Sequence, residues 1–259
     1  MAGIRYKRGW IVAVSAAVGL WWVLSMNHEL PILMYHIIDR PPGPGRSSVH
    51  VSPEVFERQM EFLKVHGYRV IPLSEAIRSY KEGRPLPRKS VVITFDDGTL
   101  DNFDHAFPVL KKMGFPATIF MITSNIGREG WLSEQDLRIL DQSGIDIGSH
   151  TADHAFLPKL KTDAEVEDQL IRSKSRLEEV LGHPVTLLSY PAGGYNSRIA
   201  AMAQLAGYEG AVTTNHGRAR GNPFGLHRIK VSESGANLFN FWIKVSGLYH
   251  LGKRRVAIS

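Results

Sequence analysis

The chain has 259 residues and no cysteine. Disulfides and thiolate metal sites are therefore excluded, and a metal centre would have to use histidine and oxygen ligands. Both oxidising and reducing compartments stay open on that count. Biased sequence is also scarce. Apart from a proline- and glycine-rich loop at Arg40–Ser48, there is no low-complexity segment and no internal repeat. The body of the chain lacks a charge excess. The formal net charge is +6, but Arg5, Lys7, Arg8, Lys253, Arg254 and Arg255 lie in two end segments, 1–27 and 253–259, that hold no acidic residue. Setting those six aside leaves 25 basic residues against 25 acidic ones. A nucleic-acid groove would need a basic stripe, so no nucleic-acid partner is expected. The basic tail reads as a solvated end, or as a contact to anionic lipid.

One long hydrophobic run is present. Trp10–Met26 (WIVAVSAAVGLWWVLSM) carries no charge and shows no polar face. Its seventeen residues fall at the short end of a membrane span. Arg5, Lys7 and Arg8 before it predict a cytoplasmic N-terminus, and Trp21 and Trp22 suit the far interface. A cleaved signal peptide is the rival reading, although no small-x-small site follows the run. The expected organisation is a basic segment and single-pass anchor at 1–27, the main domain at 28–252 outside the cytoplasmic membrane, and a basic tail at 253–259.

From Pro31 onward, apolar runs alternate with amphipathic stretches. Strands are predicted at 32–36, 69–71, 91–95, 117–123, 145–148, 185–190 and 209–213. Between them, Ser52 is expected to cap a helix bearing Phe56, Met60 and Leu63 on one face. Further helices are expected from Ser74, over 101–113, from Ser133, from a Thr162–Glu165 capping box to Leu181, and over 197–205. Repeated βα units imply a parallel sheet, and seven or eight of them imply a closed barrel. In such a barrel the ends of the strands gather the functional groups. His36, Asp96, Asp97, His150 and Pro191 all fall there.

Two strings carry the chemistry. Thr94-Phe95-Asp96-Asp97-Gly98 places adjacent carboxylates at the end of an apolar strand. His150-Thr151-Ala152-Asp153-His154 offers two imidazoles one helical turn apart, so that both rings can reach the same ion. Two histidines and one carboxylate suit a divalent ion with open positions, and the second carboxylate can face a water. Alone, the first string also fits a βα turn with a helix cap, and the second a pair of loop histidines.

Together these strings resemble the polysaccharide deacetylase (NodB-like) family. The similarity extends over DNFDHAFPVLKKMGFPATIF (101–120) and Ser189-Tyr190-Pro191-Ala192-Gly193-Gly194-Tyr195-Asn196. Pro31-Ile32-Leu33-Met34-Tyr35-His36 and Val51-Ser52-Pro53-Glu54-Val55-Phe56 are similar to the branch acting on poly-β-1,6-N-acetylglucosamine. The resemblance covers about residues 31–235. It implies an α/β fold, a distorted (β/α)7-8 barrel, here following an N-terminal transmembrane helix. It implies a metal, zinc in the first place with cobalt, nickel or iron as alternatives, held by Asp97, His150 and His154. It implies Asp96 as general base toward water, the Ala192 backbone N–H as oxyanion donor, and His36 as proton donor to the leaving amine. Tyr190, Pro191, Trp131 and Leu157 are the candidates for lining the substrate site, with core packing an equal reading for Trp131 and Leu157. Two departures stand out: Ser189 occupies a position where many members carry an arginine that orients the base, and Ala192 one where many carry an aromatic. His227 is read as structural, and His105, His183 and His216 as surface groups. The substrate implied is an N-acetylated polysaccharide, with peptidoglycan or chitin-like polymers as alternatives. A polysaccharide synthase or export machinery would be a natural partner. The rival from another class is an inactive glycan-binding module.

Overall fold

The structure is a computed structural model that describes residues 30–40, 48–215, 222–246 and 249. The apolar run 10–26, the basic tail and His216 lie outside the described residues. Among the described helices, none is long and apolar enough to cross a membrane.

The elements follow in the order β1 (Ile32–Tyr35), α1 (Pro53–Val65), β2 (Arg69–Val70), α2 (Leu73–Glu82), β3 (Ser90–Phe95), a π-turn (Asn102–Ala106), α3 (Phe107–Met113), β4 (Ala117–Met121), α4 (Glu134–Gln142), β5 (Ile145–Ser149), α5 (Asp163–Leu181), β6 (Leu187–Ser189), α6 (Ser197–Leu205), β7 (Gly210–Thr213), β8 (Leu226–His227), β9 (Ile229–Lys230) and α7 (Leu238–Val245). All strand pairs are parallel, in the order β8-β7-β6-β5-β4-β3-β1-β9, with β2 beside β3. β8 and β9 are separated by Arg228 alone. The first half of this segment pairs with β7 (Thr213 with His227) and the second with β1 (Leu33 with Ile229). One piece of chain thus joins the two ends of the sheet and nearly closes the barrel that the βα repeat predicts.

Local sequence explains the pieces. β3 is buried along its whole length, as a parallel strand covered on both faces must be. α1 buries Phe56, Met60 and Leu63 against the core. Capping boxes open α4 (Ser133 with Asp136) and α5 (Thr162 with Glu165). Gly148 lets β5 pass close to β4: a Cβ there would lie 2.6 Å from the Phe120 ring.

Several expectations are corrected. Ser52 holds the N-cap position of α1 as expected, but its side chain does not cap the helix; its N–H and hydroxyl bond the Glu233 carboxylate instead. The stretch 101–113 is helical as expected, but Asn102–Ala106 within it is wound as a π-turn. The second helix starts at Leu73, after Pro72, rather than at Ser74. The strands expected at 117–123 and 185–190 are shorter, at Ala117–Met121 and Leu187–Ser189. His105 is not a surface group: its Nδ1 lies 2.7 Å from the Ile38 carbonyl and ties the π-turn to the exit of β1. α7 is an additional helix, packed on α1 through Phe62 and Phe241.

Candidate metal and catalytic site

The site forms where β1, β3, β5 and β6 end. β3 delivers Asp96 and Asp97, and Asp96 N–H is tied to the Tyr35 carbonyl of β1. Asp97 takes a positive φ of 77°, and Gly98 follows at 82°, so the chain turns sharply back over β4. A Cβ on Gly98 would lie 2.2 Å from Met121 Sδ, which is why the turn requires glycine. β5 delivers His150, whose N–H bonds the Met121 carbonyl.

His150 and His154 are not one helical turn apart. The segment between them is an irregular loop in which Thr151 and His154 adopt φ values of 64° and 57°. The loop still brings the imidazoles together, with ring centroids 4.9 Å apart at 72°. Of the five non-glycine residues with positive φ among the described residues, four (Asp97, Thr151, His154, Ala192) lie in the loops of this site. Such conformations persist only where the surroundings hold them.

The holding groups come largely from α5. Gln169 Nε2 donates to Asp153 Oδ2 (2.8 Å), and Asp153 N–H donates to Gln169 Oε1 (3.0 Å). Arg172 Nη2 reaches Asp153 Oδ2 at 2.5 Å. Ser149 and Ser173 hydroxyls bond at 2.8 Å, and Thr151 N–H bonds Ser149 Oγ. Residues 149, 151 and 153 are thus fastened on one side, while 150 and 154 project their rings on the other.

The projected groups converge. Asp97 Oδ1 lies 3.5 Å from His150 Nε2 and 3.7 Å from His154 Nε2. One ligand atom from each residue falls within 4.8 Å of the others. His150 Nδ1 is 2.8 Å from the Ser189 carbonyl, so it carries the proton and leaves Nε2 free to ligate. Burial lowers the pKa of His150 to about 4, and burial also lowers that of His154, so both rings are neutral near pH 7. Burial, reinforced by the charge of Asp96, pushes Asp97 up to about 6. A carboxylate destabilised in this way beside two neutral imidazoles is a donor set that a divalent cation satisfies.

Asp96 is held differently. It is 1% exposed, yet stays ionised well below the usual carboxylate range: burial alone would raise its pKa, but Arg228 overrides that. Arg228, fully buried between β8 and β9, donates to Asp96 Oδ1 (2.6 Å) and Oδ2 (2.5 Å). The same guanidinium donates to Ser189 Oγ (2.9 Å) and Thr94 Oγ1 (3.1 Å). This answers the question raised by Ser189. The small side chain at 189 accepts a hydrogen bond from an arginine that arrives from the neighbouring side of the barrel. Arg228 is a site residue that the sequence reading missed. The available signal was a lone arginine in an apolar segment, Leu226-His227-Arg228-Ile229, facing a serine.

His36 follows β1 directly and is partly buried. Asn102 Nδ2 fixes its carbonyl at 2.8 Å, and Asp101 Oδ2 accepts from Ile38 N–H at 2.5 Å, so the π-turn sets the course of the chain at His36. Its Nδ1 is buried without a hydrogen-bond partner. Burial lowers its pKa, with Asp96 and Asp97 opposing that shift. Ala192 is exposed in a tight turn over Pro191–Gly193, at φ 52°. Tyr190 and Leu157 are fully buried and pack together in one apolar cluster with α5 and α6 residues, and Pro191 is buried. Trp131 is partly exposed and pairs with Thr99 beside the Asp97–Gly98 turn. His227 Nδ1 lies 2.7 Å from the Asn215 carbonyl, a structural contact. His183 pairs with Asp141 on the surface.

Comparison with known proteins agrees with this geometry. Residues 83–211 match the model of a family described as polysaccharide deacetylase. The Bacillus subtilis protein YxkH, whose name places it among polysaccharide deacetylases, is 38% identical over 214 residues, covering 82% of this chain and 75% of its own. A poly-β-1,6-N-acetyl-D-glucosamine N-deacetylase of Staphylococcus epidermidis is 37% identical over 166 residues, 59% of this chain and 57% of that protein. Among solved structures, the Streptococcus pyogenes deacetylase PplD, in complex with acetate, superposes with a TM-score of 0.75 at 29% identity, covering 82% of this chain and 97% of that one. IcaB from Ammonifex degensii gives 0.73 at 26% identity, covering 84% and 97%. The chain belongs to the polysaccharide deacetylase family, and is a deacetylase hydrolase with the NodB-like barrel of that family.

Proposed function

We propose that this protein is a membrane-anchored, divalent-metal-dependent N-deacetylase of an N-acetylhexosamine polymer outside the cytoplasmic membrane, with poly-β-1,6-N-acetylglucosamine as the favoured substrate and zinc as the favoured metal. The observation that carries the reading is the convergence of Asp97, His150 and His154 beside a separate, arginine-held Asp96. The choice of polymer is supported by the name of the Staphylococcus epidermidis relative and by His36 arriving from the first strand of the barrel.

Asp97, His150 and His154 would hold the cation, which when bound supplies Lewis acidity toward water and the acetamide oxygen. Asp96, kept ionised and oriented by Arg228, accepts a proton from the attacking water. The water oxygen bonds to the acetamide carbon, and the charge that develops on the carbonyl oxygen meets the Ala192 backbone N–H. His36, in the protonated form that Asp96 and Asp97 favour against its burial, gives a proton to the amide nitrogen as the C–N bond breaks, releasing acetate and a free amine. Each lost acetyl group leaves a cationic site on the polymer.

The full chain in mild detergent, incubated with β-1,6-linked N-acetylglucosamine oligomers and zinc, cobalt or nickel, should release acetate. Sugar binding without acetate under all three metals would instead indicate a glycan-binding module. Acetate from peptidoglycan or chitin-like oligomers alone would move the substrate and leave the chemistry standing.

A further inference from the structure

A cavity of about 710 Å³ opens at the end of the barrel opposite the metal-binding set. Leu30, Tyr68, Leu86 and Trp242 give it an apolar lining, and Arg84, Arg88 and Lys89 stand among them. It sits where strands begin: Pro31 and Ser90, at the starts of β1 and β3, line it, and so do Val245 and Ser246 at the end of α7. The α2–β3 segment here is basic, with Arg84, Arg88 and Lys89 against Glu82, which pairs with Arg84, while Lys81 pairs with Glu209. Trp242 is 40% exposed and lies 5.6 Å from the ring of Phe239, itself 63% exposed, on the outer face of α7. Cations beside half-exposed aromatics over an apolar recess match the chemistry of a bilayer interface.

The position of this face in the chain says what it meets. Leu30 lines the cavity, and the uncharged run Trp10–Met26 ends only four residues earlier. The four steps from Met26 to Leu30 span at most about 14 Å even when extended. With the run in the bilayer, the base of the barrel cannot stand away from the surface. The six residues of β3 then carry Asp96 and Asp97 some 20 Å farther out at about 3.3 Å per residue.

We infer that the N-terminal face of the barrel, from Arg84–Lys89 to Trp242, rests on the membrane and takes anionic phospholipid headgroups, with the catalytic mouth turned away from the bilayer. The inference rests on the anchoring reading above. It implies that the polymer is met as it stands off the surface, not at the lipid boundary.

The absence of cysteine makes the test direct, because one introduced thiol reports alone. Full chain carrying Pro85→Cys (base) or Lys159→Cys (mouth) is spin-labelled and reconstituted in nanodiscs of phosphatidylcholine and phosphatidylglycerol. The label at 85 should collide several-fold more with oxygen than with a water-soluble nickel chelate, and the label at 159 the reverse. Adding Arg84→Glu, Arg88→Glu and Lys89→Glu should raise nickel collisions at 85 while acetate release from a soluble oligomer persists. Equal nickel access at 85 and 159 in chain retained by the discs overturns the inference and leaves anchoring intact. Chain that leaves the discs overturns anchoring, and this inference with it.

Discussion

Replacing Arg228 with methionine removes a guanidinium while keeping most of the side-chain volume. The change would leave Asp96 buried with its main counter-charge gone. Breaking one side of a buried ion pair costs about 3–5 kcal/mol. An independent bound comes from protonation. The variant can escape an unpaired charge by neutralising Asp96, and at pH 7 that costs about 4 kcal/mol for a group of ordinary pKa about 3.9 at about 1.36 kcal/mol per unit. The two figures agree, and at about 2–4 °C per kcal/mol for a domain of this size they correspond to a melting point roughly 6–20 °C lower. The pH dependence has a definite sign. In the native protein the Asp96 pKa is depressed, so its contribution is present above the unfolded value and is lost as pH falls through the folded one. In Arg228→Met the folded pKa lies above the unfolded value, so the deficit is largest at neutral pH and shrinks as pH falls toward 4. Urea denaturation with chelator present, from pH 7 to 4.5, measures this directly. Asp96→Asn combined with Arg228→Met should recover part of the loss, with a coupling of about 2–3 kcal/mol. A deficit below about 1 kcal/mol, or one that does not change with pH, would refute the claim that Arg228 is what keeps Asp96 ionised.

Two further outcomes concern the metal set. Gln169→Leu removes both hydrogen bonds to Asp153; calorimetric titration of zinc into metal-free protein should show affinity about 10–100-fold weaker, with the far-ultraviolet dichroism unchanged. Metal affinity should also fall with acid. His150, at about 4, is already neutral near pH 6, and burial lowers His154 as well, so Asp97, at about 6, is expected to lead the competition for protons. Zinc affinity should be flat above pH 7 and drop roughly tenfold per unit below pH 6; a flat profile from pH 5 to 7 would contradict that assignment.

Much of the fold was legible because its signals are local. The buried run Val91–Phe95, the capping boxes at Ser133 and Thr162, and the alternation of strands with helices are each readable within a short window. The convergence of Asp97 with His150 and His154 follows once the barrel is assumed, since β3 and β5 flank β4. What the window hides is long-range pairing. Arg228 meets Asp96 across 132 positions, and only the strand that closes the barrel brings them together. Ser52 looks like a helix cap until Glu233, 181 positions away, claims its hydroxyl. The helical spacing of His150 and His154 suggested a helix, but the clamp from Gln169 and Ser173 holds a strained loop instead. Gln169 and Ser173 carry a faint signal, as polar residues on the buried face of an amphipathic helix.

The central claim is the division of labour between adjacent aspartates, Asp97 as ligand and Asp96 as base. The most direct measurement compares zinc affinity and acetate release for Asp96→Asn and Asp97→Asn in the full chain. Asp96→Asn should bind zinc with near-native affinity and lose turnover by about 10²–10⁴, whereas Asp97→Asn should lose the metal itself. Zinc retained by Asp97→Asn and lost by Asp96→Asn would contradict the account.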